Sequence, residues 1–142
     1  MSWQGYIDNL TTPDADGNTP VKDAAICGIS AGQQSVWASS PGLAKITEEE
    51  IKRLAGNRSS FRTDGPTIAG MKCMMLRDQM DEDQVFTLDL KTSKQDDGQA
   101  YSICVGKSKS VLVMVQGKKD AVGGQLASKV FGIVDYLRKS NM

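Results

Sequence analysis

The sequence predicts an α+β fold, with one antiparallel sheet of about six to seven strands and a helix near each end of the chain. Segments between residues 67 and 116 alternate apolar and polar side chains, as half-buried strands do. The connections between them are short and charged, which is typical of antiparallel hairpins. Near both ends the apolar residues recur instead at helical spacing. These three observations favour a single domain covering residues 1–142.

Composition excludes several classes of function. The chain has 142 residues, of which 39% are hydrophobic, and its 17 basic and 17 acidic residues cancel. No global charge therefore attracts nucleic acid, so any anionic partner must meet a local patch. The absence of histidine removes Ser/His and Cys/His nucleophile pairs and the commonest metal ligand. Acid-base catalysis by carboxylates or lysine remains open, but the acidic residues are scattered without a convergent pair, so we expect neither an enzyme nor a bound cofactor.

Compartment and membrane association can also be predicted. Cys27, Cys73 and Cys104 stand far apart without metal or redox spacing, which indicates reduced thiols of a cytosolic protein. The longest uninterrupted apolar run, Val111 to Val115, is too short to span a bilayer. Met1 leads directly into the first predicted helix, so no signal peptide is expected.

The first element is predicted to be a helix that begins almost at the first residue. Ser2 suits the N-cap, and Trp3, Tyr6, Ile7 and Leu10 then recur at helical spacing. All four side chains could belong to the core. Alternatively, Trp and Tyr each carry a polar atom that needs a partner, so this pair could form half of a recognition surface.

A polar loop is predicted from Thr11 to Thr19. Asp14, Asp16 and Asn18 alternate as the ligands of a calcium loop do, but Gly17 comes two positions too early and no glutamate follows at the last ligand position. We therefore favour a linker over a calcium site.

Two strands should follow this loop, Ala24 to Gly28 and Ser35 to Ser39, the second carrying Trp37. Pro41 and Gly42 end the second strand.

A second helix is then predicted by a capping box, formed by Thr47 with Glu50 three residues later. It should run through Leu54 and end at Gly56, with a further short helical turn over residues 57–61.

The remaining strands form a meander. They are predicted at Thr67 to Ala69, Met71 to Arg77, the alternation of Phe86, Leu88 and Leu90, the alternation of Tyr101, Ile103 and Val105, and Val111 to Gln116. Each alternating strand should bury one face. The last strand is the most apolar and should be central.

The final helix is predicted over residues 122–141. Its apolar stripe, expected on the sheet, is Val122, Leu126, Val130, Ile133 and Leu137. Phe131 falls nearly opposite, in line with Gly124 and Ala127, and is either a satellite contact or part of a partner surface. Arg138 and Lys139 complement the negative end of the helix dipole.

Seven motifs in order resemble those of the profilin family over essentially the whole chain. They are W-x-x-Y-I-D-N-L, DAAI, SVWA, IT-x-E-E, R-S-S-F, KC-x-x-x-RD, and a GG before a helix ending in YLR. The resemblance implies a monomeric cytoplasmic protein of the cytoskeleton that binds monomeric actin, proline-rich segments and phosphoinositides. It also implies that the terminal helices pack together on one face of the sheet and the short helices on the other.

The resemblance further implies a groove for polyproline II segments. Its residues are Trp3, Tyr6, Asn9, Trp37, Tyr136 and Leu137. Tyr136 stands where some members have histidine, and Met142 stands where an aromatic residue often closes the chain. We expect binding to survive both changes.

An actin-binding face transfers less completely. The residues carried over are Lys72, Arg77, Lys91, Val122, Gly124, Lys129 and Phe131. Ala127, Ser128 and Gly132 replace polar or charged residues of many members. Two hypotheses follow: actin binding persists with altered affinity, or the protein is a proline-motif adaptor whose actin binding is weakened or lost.

Phosphoinositide binding would involve lysines at strand ends. Lys107, Lys109, Lys118 and Lys119 lie where they could converge on a phosphorylated headgroup. The alternative is that they are solvated lysines without a ligand.

Overall fold

The computed structural model describes residues 3–13, 17, 19–30, 32, 34–56, 58–61, 63–82, 85–118, 121 and 123–142. The α-helices are α1 (Trp3–Thr11), α2 (Glu48–Ala55) and α3 (Gly123–Lys139), and Pro41–Leu43 forms one 3₁₀ turn. The strands are β1 (Val21–Gly28), β2 (Val36–Ser39), β3 (Thr67–Ile68), β4 (Met71–Gln79), β5 (Thr87–Thr92), β6 (Ser102–Lys107) and β7 (Val111–Gly117). Ser2, Asp14, Asp16 and Asn18, to which the sequence assigned a cap and a rejected calcium site, lie outside these residues.

The strands form one antiparallel sheet in the order β2-β1-β7-β6-β5-β4-β3. This arrangement confirms the predicted fold class. β7 is an interior strand, as expected, and lies between β1 and β6. The middle strand of the seven is β6.

Apolar side chains cover both faces of the sheet. Ile7 and Leu10 of α1 pack with Leu126 and Val130 of α3 in a cluster on one face. A second cluster, on the other face, contains apolar residues of α2, the 3₁₀ turn and the loop after α2: Leu43, Ile51, Leu54 and Phe61. The terminal helices therefore share one face and the short helical elements share the other.

The prediction that β6 buries one face is wrong. Ile103 and Val105 belong to the cluster under α2, whereas Cys104 belongs to the cluster under the terminal helices. Helices lie on both sides of this strand, so both sets of alternating side chains are removed from water.

Phe86 also departs from the predicted alternation. Its φ of +55° breaks the extended backbone just before β5, and its ring packs on the terminal-helix face, opposite Leu88 and Leu90. The guanidinium of Arg138 lies 3.4 Å from the centre of this ring. Arg138 also donates to the Lys107 carbonyl at 2.7 and 3.0 Å. This residue therefore does more than complement the helix dipole, because it fastens the end of α3 to β6.

The buried stripe of α3 differs by one position from the prediction. Leu126, Val130, Val134 and Leu137 are fully buried, whereas Ile133 is half-buried. Gly106 of β6 explains the rotation, since a Cβ there would lie 2.3 Å from Val130 Cγ1 and 2.6 Å from Val134 Cγ2. The missing side chain lets α3 approach the sheet with its valines over β6.

Two other boundaries differ from the prediction. β1 begins at Val21 rather than Ala24, and Ser59–Phe61 forms a turn instead of a helix. The three cysteines are free and buried, and burial raises the pKa of Cys27 to about 12.

Glu50 joins α2 to the β3–β4 turn. The predicted capping box is confirmed: Thr47 N–H donates to Glu50 Oε1 at 2.9 Å, and Glu50 N–H donates to Thr47 Oγ1 at 3.2 Å. The same carboxylate accepts from the N–H groups of Ala69 at 3.0 Å and Gly70 at 3.1 Å. Burial favours a raised pKa for Glu50, but the hydrogen bonds to its carboxylate outweigh this effect and lower the pKa.

We expect Glu50→Gln to reduce the free energy of unfolding by about 1 to 3 kcal/mol at neutral pH. Because the folded pKa of Glu50 is depressed, the contribution of its carboxylate is present above the ordinary pKa of 4.5 and is lost as the pH falls through the folded value. We therefore expect the free energies of unfolding of the native protein and Glu50→Gln, measured by urea denaturation, to become equal at acid pH. Glu49→Gln, at the exposed neighbour, is the matched control. If the difference in free energy of unfolding caused by Glu50→Gln does not change with pH, the role given to the Glu50 carboxylate is wrong.

Candidate functional site

Four aromatic rings form a continuous row on the face that carries the terminal helices. The ring centre of Trp3 lies 5.4 Å from that of Trp37 and 5.6 Å from that of Tyr6. Tyr6 continues the row to Tyr136, at 6.4 Å. These residues come from α1, β2 and α3, so folding assembles the row from distant parts of the chain.

The helical spacing of α1 explains how the row is supported. Ile7 and Leu10 are buried against the sheet and fix the helix, while Trp3, near its beginning, remains half-buried. Tyr6 is only 8% exposed, whereas Tyr136 is 58% exposed. The two sequence interpretations of α1 are therefore both partly right. Ile7 and Leu10 belong to the core, whereas the ring of Trp3 reaches an accessible surface.

The two remaining groove residues differ in accessibility. Asn9 is exposed on α1. Leu137 is 0% exposed, so it can support the groove from beneath but cannot contact a ligand directly. Its inclusion among contact residues is therefore corrected. Met142 is 39% exposed, and its carbonyl accepts hydrogen bonds from Ser110 in the β6–β7 turn.

Burial and the neighbouring phenol of Tyr136 both raise the pKa of Tyr6 above its usual value. The phenol of Tyr6 is therefore a neutral hydroxyl at physiological pH. The row combines flat apolar rings with indole N–H and phenol O–H groups, which can donate to acceptors on a ligand.

A second surface lies where β4 and β5 meet α3. Arg77 and Phe131 line one depression of about 240 Å³, together with Thr87, Ala127 and Ser128. Phe131 is half-buried in its wall, which places it in an accessible surface. Of the two interpretations of this residue, the structure favours a surface that a partner could reach.

The charged residues predicted for this surface are spread along β4, β5 and α3. Arg77 pairs with Asp89 at 3.2 Å, and Lys72 lies 3.8 Å from Asp64. Lys91 is exposed on β5, opposite Met74 in the register. Gly124 is exposed on α3 and Lys129 is half-buried, whereas Val122 lies outside the described residues.

Comparison with known proteins identifies the family. The Profilin family model matches residues 1–142. The chain belongs to the profilin family. Human and bovine profilin-1 are each 38% identical over 97% of this chain and 96% of their own length. Profilins are actin-binding proteins of the cytoskeleton that bind polyproline and regulate actin polymerisation, and they are not enzymes.

Solved profilin structures share this fold closely. Mouse profilin IIa, in complex with a double repeat from the FH1 domain of mDia1, superposes with a TM-score of 0.89 at 36% identity, and all of both chains is covered. Rat profilin 2a gives a TM-score of 0.86 at 37% identity, covering 99% of this chain and 96% of its own. Profilin IB of Acanthamoeba castellanii is more distant, with a TM-score of 0.71 at 25% identity, covering 99% of this chain and all of its own.

Sequence reasoning missed two apolar residues of this profilin surface. Met74 and Leu76 are 62% and 55% exposed on β4, between Lys72 and Arg77. The sequence analysis predicted a strand over Met71 to Arg77 but did not assign its exposed side chains. Cys73 is buried and Met75 half-buried, but residues 73–76 are all apolar in the sequence, so no alternation of polarity marked the exposed side chains. An irregularity in pairing between Met75 and Arg77 then disrupts the alternation of buried side chains.

The lysines predicted for phosphoinositides do not converge. Lys107 and Lys109 lie before the start of β7, whereas Lys118 follows its end, on the order of 20 Å away for a strand of this length. Lys109 Nζ donates to Asn141 Oδ1 at 2.6 Å, and Lys119 lies outside the described residues. The length of β7 separates the two groups, so the single site predicted from sequence is corrected.

A different lysine group forms around Lys118. Together with Lys91 and Lys94 it lines a depression of about 420 Å³ beside the β5–β6 loop. The register brings these lysines together from two segments of the chain, the end of β5 and the end of β7.

None of the helices described for this profilin is both long and apolar enough to cross a bilayer.

Proposed function

We propose that this chain binds proline-rich segments through the aromatic row and monomeric actin through the surface formed by β4, β5 and α3, and thereby regulates actin polymerisation. The row from Trp37 through Trp3 and Tyr6 to Tyr136 carries the first part of the proposal. Family membership supports both parts.

The row suits a polyproline II ligand for physical reasons. Such a helix has three residues per turn and exposes its carbonyl groups because it has no internal hydrogen bonds. Proline rings pack on flat aromatic faces, while indole and phenol groups donate to the free carbonyls. Trp3, Trp37 and Tyr136 are the accessible members of the row and are the proposed contacts, with Tyr6 as a largely buried floor.

Titration with a proline-rich peptide tests this assignment. Trp3 and Trp37 are the only two tryptophans in the chain, so intrinsic fluorescence reports the row directly. We expect a saturable change with a decaproline peptide and none with a Gly/Ser peptide of equal length. A response identical for both peptides would contradict the proposal.

The proposed actin surface combines apolar and basic groups. Met74, Leu76 and Phe131 supply accessible apolar area, while Lys72 and Lys91 supply positive charge. A stable interface needs about 800 Å² on each partner, which two strands and a helix can provide. We expect about tens of micromolar protein to slow pyrene-actin assembly. This concentration exceeds a dissociation constant of about 1 μM, so most actin monomers would be bound.

Phe131→Ala is expected to weaken actin binding about 5- to 30-fold, by the typical cost of about 1 to 2 kcal/mol for losing an apolar interface residue. The measurement is the concentration of protein that half-inhibits pyrene-actin assembly. Tyr136→Ala, on the aromatic row, is the control and should leave this value unchanged. Equal effects of the two variants would show that Phe131 is not at the interface.

A proline-motif adaptor with weakened actin binding is the second candidate function. It is favoured by the uncharged Ala127 and Ser128, which line the depression beside Arg77 and Phe131. In this case the peptide titration succeeds, while actin assembly is unaffected if actin binding is lost, or slows only far above tens of micromolar protein if it is weakened.

We also propose phosphoinositide sensitivity through Lys91, Lys94 and Lys118. Several lysines close together attract a polyanionic headgroup in a salt-dependent way. Co-sedimentation with vesicles should rise with phosphoinositide content and fall with salt. Lys109→Ala, at the opposite end of β7, is the matched control for Lys118→Ala.

A further inference from the structure

A cavity of about 290 Å³ lies on the sheet face opposite the aromatic row. Asp23, Tyr101 and Gln116 contribute to its floor, and Lys22, Asp96 and Asp97 contribute to its rim. Asp23 and Gln116 are paired across β1 and β7, and they continue the rows of Ala25 and Met114, which belong to the core under α2. The cavity therefore opens where that apolar core ends.

The floor contains two polar side chains that are more than nine-tenths buried. Asp23 is 7% exposed and Gln116 is 3% exposed. Oδ1 of Asp23 accepts from Ser40 Oγ at 2.7 Å and from Gly42 N–H at 3.1 Å. Within the part of the chain that the structure describes, Oδ2 of Asp23 and the side-chain amide of Gln116 have no hydrogen-bond partner. Asp89 Oδ1 is the buried side-chain atom without a partner among the described residues, whereas Asp23 and Gln116 line the cavity, where a ligand can bind their polar atoms.

The remaining lining favours a positive charge. Three carboxylates, from Asp23, Asp96 and Asp97, face a single lysine, Lys22. Lys22 Nζ lies 4.8 Å from the centre of the Tyr101 ring, so this ring already accommodates one cation. The Tyr101 hydroxyl donates to Asp97, and this hydrogen bond lowers the pKa of Asp97 and keeps it ionised.

We propose that this cavity binds a guanidinium group of the size of an arginine side chain. A guanidinium presents several N–H donors in one plane, which match Oδ2 of Asp23 and the amide oxygen of Gln116. Its flat face can replace the amine of the exposed Lys22 side chain against the Tyr101 ring, and the rim carboxylates offset its charge. The cavity is close in size to the smallest ordinary ligand pockets.

NMR titration of the ¹⁵N-labelled full chain with Nα-acetyl-L-arginine methylamide tests the proposal. The Gln116 side-chain amide and the Gly42 backbone N–H should shift in a saturable way, with a dissociation constant of about 1 to 10 mM for so small a ligand. The corresponding citrulline derivative has nearly the same shape but no charge, and it should cause no saturable shift. A null result with arginine, or equal shifts with citrulline, overturns the proposal.

Variants test which groups are responsible. Asp97→Asn, at an exposed position, should weaken binding about two- to fivefold, and more salt should weaken it further. Gln116→Leu should weaken it at least as much, while Glu49→Gln on α2 should have no effect. Because Asp97 is on the surface, its variant remains informative if Gln116→Leu fails to fold. An unchanged affinity in Asp97→Asn and at high salt would exclude a cation site.

Two further ligands distinguish the source of the guanidinium. Agmatine represents a small metabolite, and the peptide Gly-Gly-Arg-Gly-Gly represents an arginine of a protein partner. Peptide binding as strong as that of agmatine supports a protein partner, binding of agmatine alone supports a small molecule, and binding of neither overturns the proposal. The fluorescence response of the tryptophans to decaproline should be the same in all these experiments, because the aromatic row lies on the other face. A negative result for guanidinium binding would therefore leave the proposed function intact.

Discussion

Replacing Arg58 with methionine is expected to lower the free energy of unfolding by about 3 kcal/mol. The Arg58 side chain is 6% exposed and forms ion pairs with Asp78 at 2.8 Å and Asp81 at 2.6 Å. Its Nη1 also donates to the Leu54 and Gly56 carbonyls at 3.3 and 3.2 Å. Methionine preserves the length and apolar stem but leaves the two carbonyls and the carboxylates without their donor.

Chemical denaturation monitored by far-UV circular dichroism measures this change. Lys52→Met is the matched control, because Lys52 pairs with Glu48 at 2.9 Å while both side chains are more than half exposed. Such an exposed pair should contribute at most about 0.5 kcal/mol. Equal losses in the two variants would mean that the Arg58 network contributes no more than a surface pair.

Trp3→Ala is expected to weaken binding of a decaproline peptide at least about 30-fold, which corresponds to about 2 kcal/mol for a central aromatic interface residue. Trp3 is central because its ring neighbours both Trp37 and Tyr6, so its removal divides the row. Isothermal titration calorimetry measures the affinity without relying on tryptophan fluorescence.

The control for this experiment is Leu76→Ala, a truncation at an exposed position on β4. It should leave peptide affinity unchanged. Thermal unfolding of Trp3→Ala must remain cooperative for the comparison to be valid. A folded Trp3→Ala protein that binds the peptide normally would rule out the aromatic row as the groove.

Local patterns in the sequence predicted most of the fold. The capping box of Thr47 and Glu50 located the start of α2, because this motif is formed within one turn of helix. The alternation in β5 and the spacing in α1 likewise depend on residues only a few positions apart. Phe86 and Ile133 were assigned wrongly because a positive φ and the rotation of α3 over Gly106 are set by contacts with other elements.

The same distinction applies to the candidate sites. Trp3, Tyr6, Trp37 and Tyr136 were named from family motifs, and folding does bring their rings together. Lys107, Lys109 and Lys118 were expected to converge, but they lie at opposite ends of β7. Met74 and Leu76 were missed because a sequence pattern does not show which strand face is left uncovered.

The sequence by itself determined the elements, their order and the family, since these follow from side-chain periodicity and from short motifs. Only the tertiary structure decided which side chains share a surface. Residues such as Asp23 and Gln116, or Lys91 and Lys118, are far apart in the chain, and strand register alone makes them neighbours. Register is fixed by the packing of both sheet faces at once, a condition that no local stretch of sequence contains.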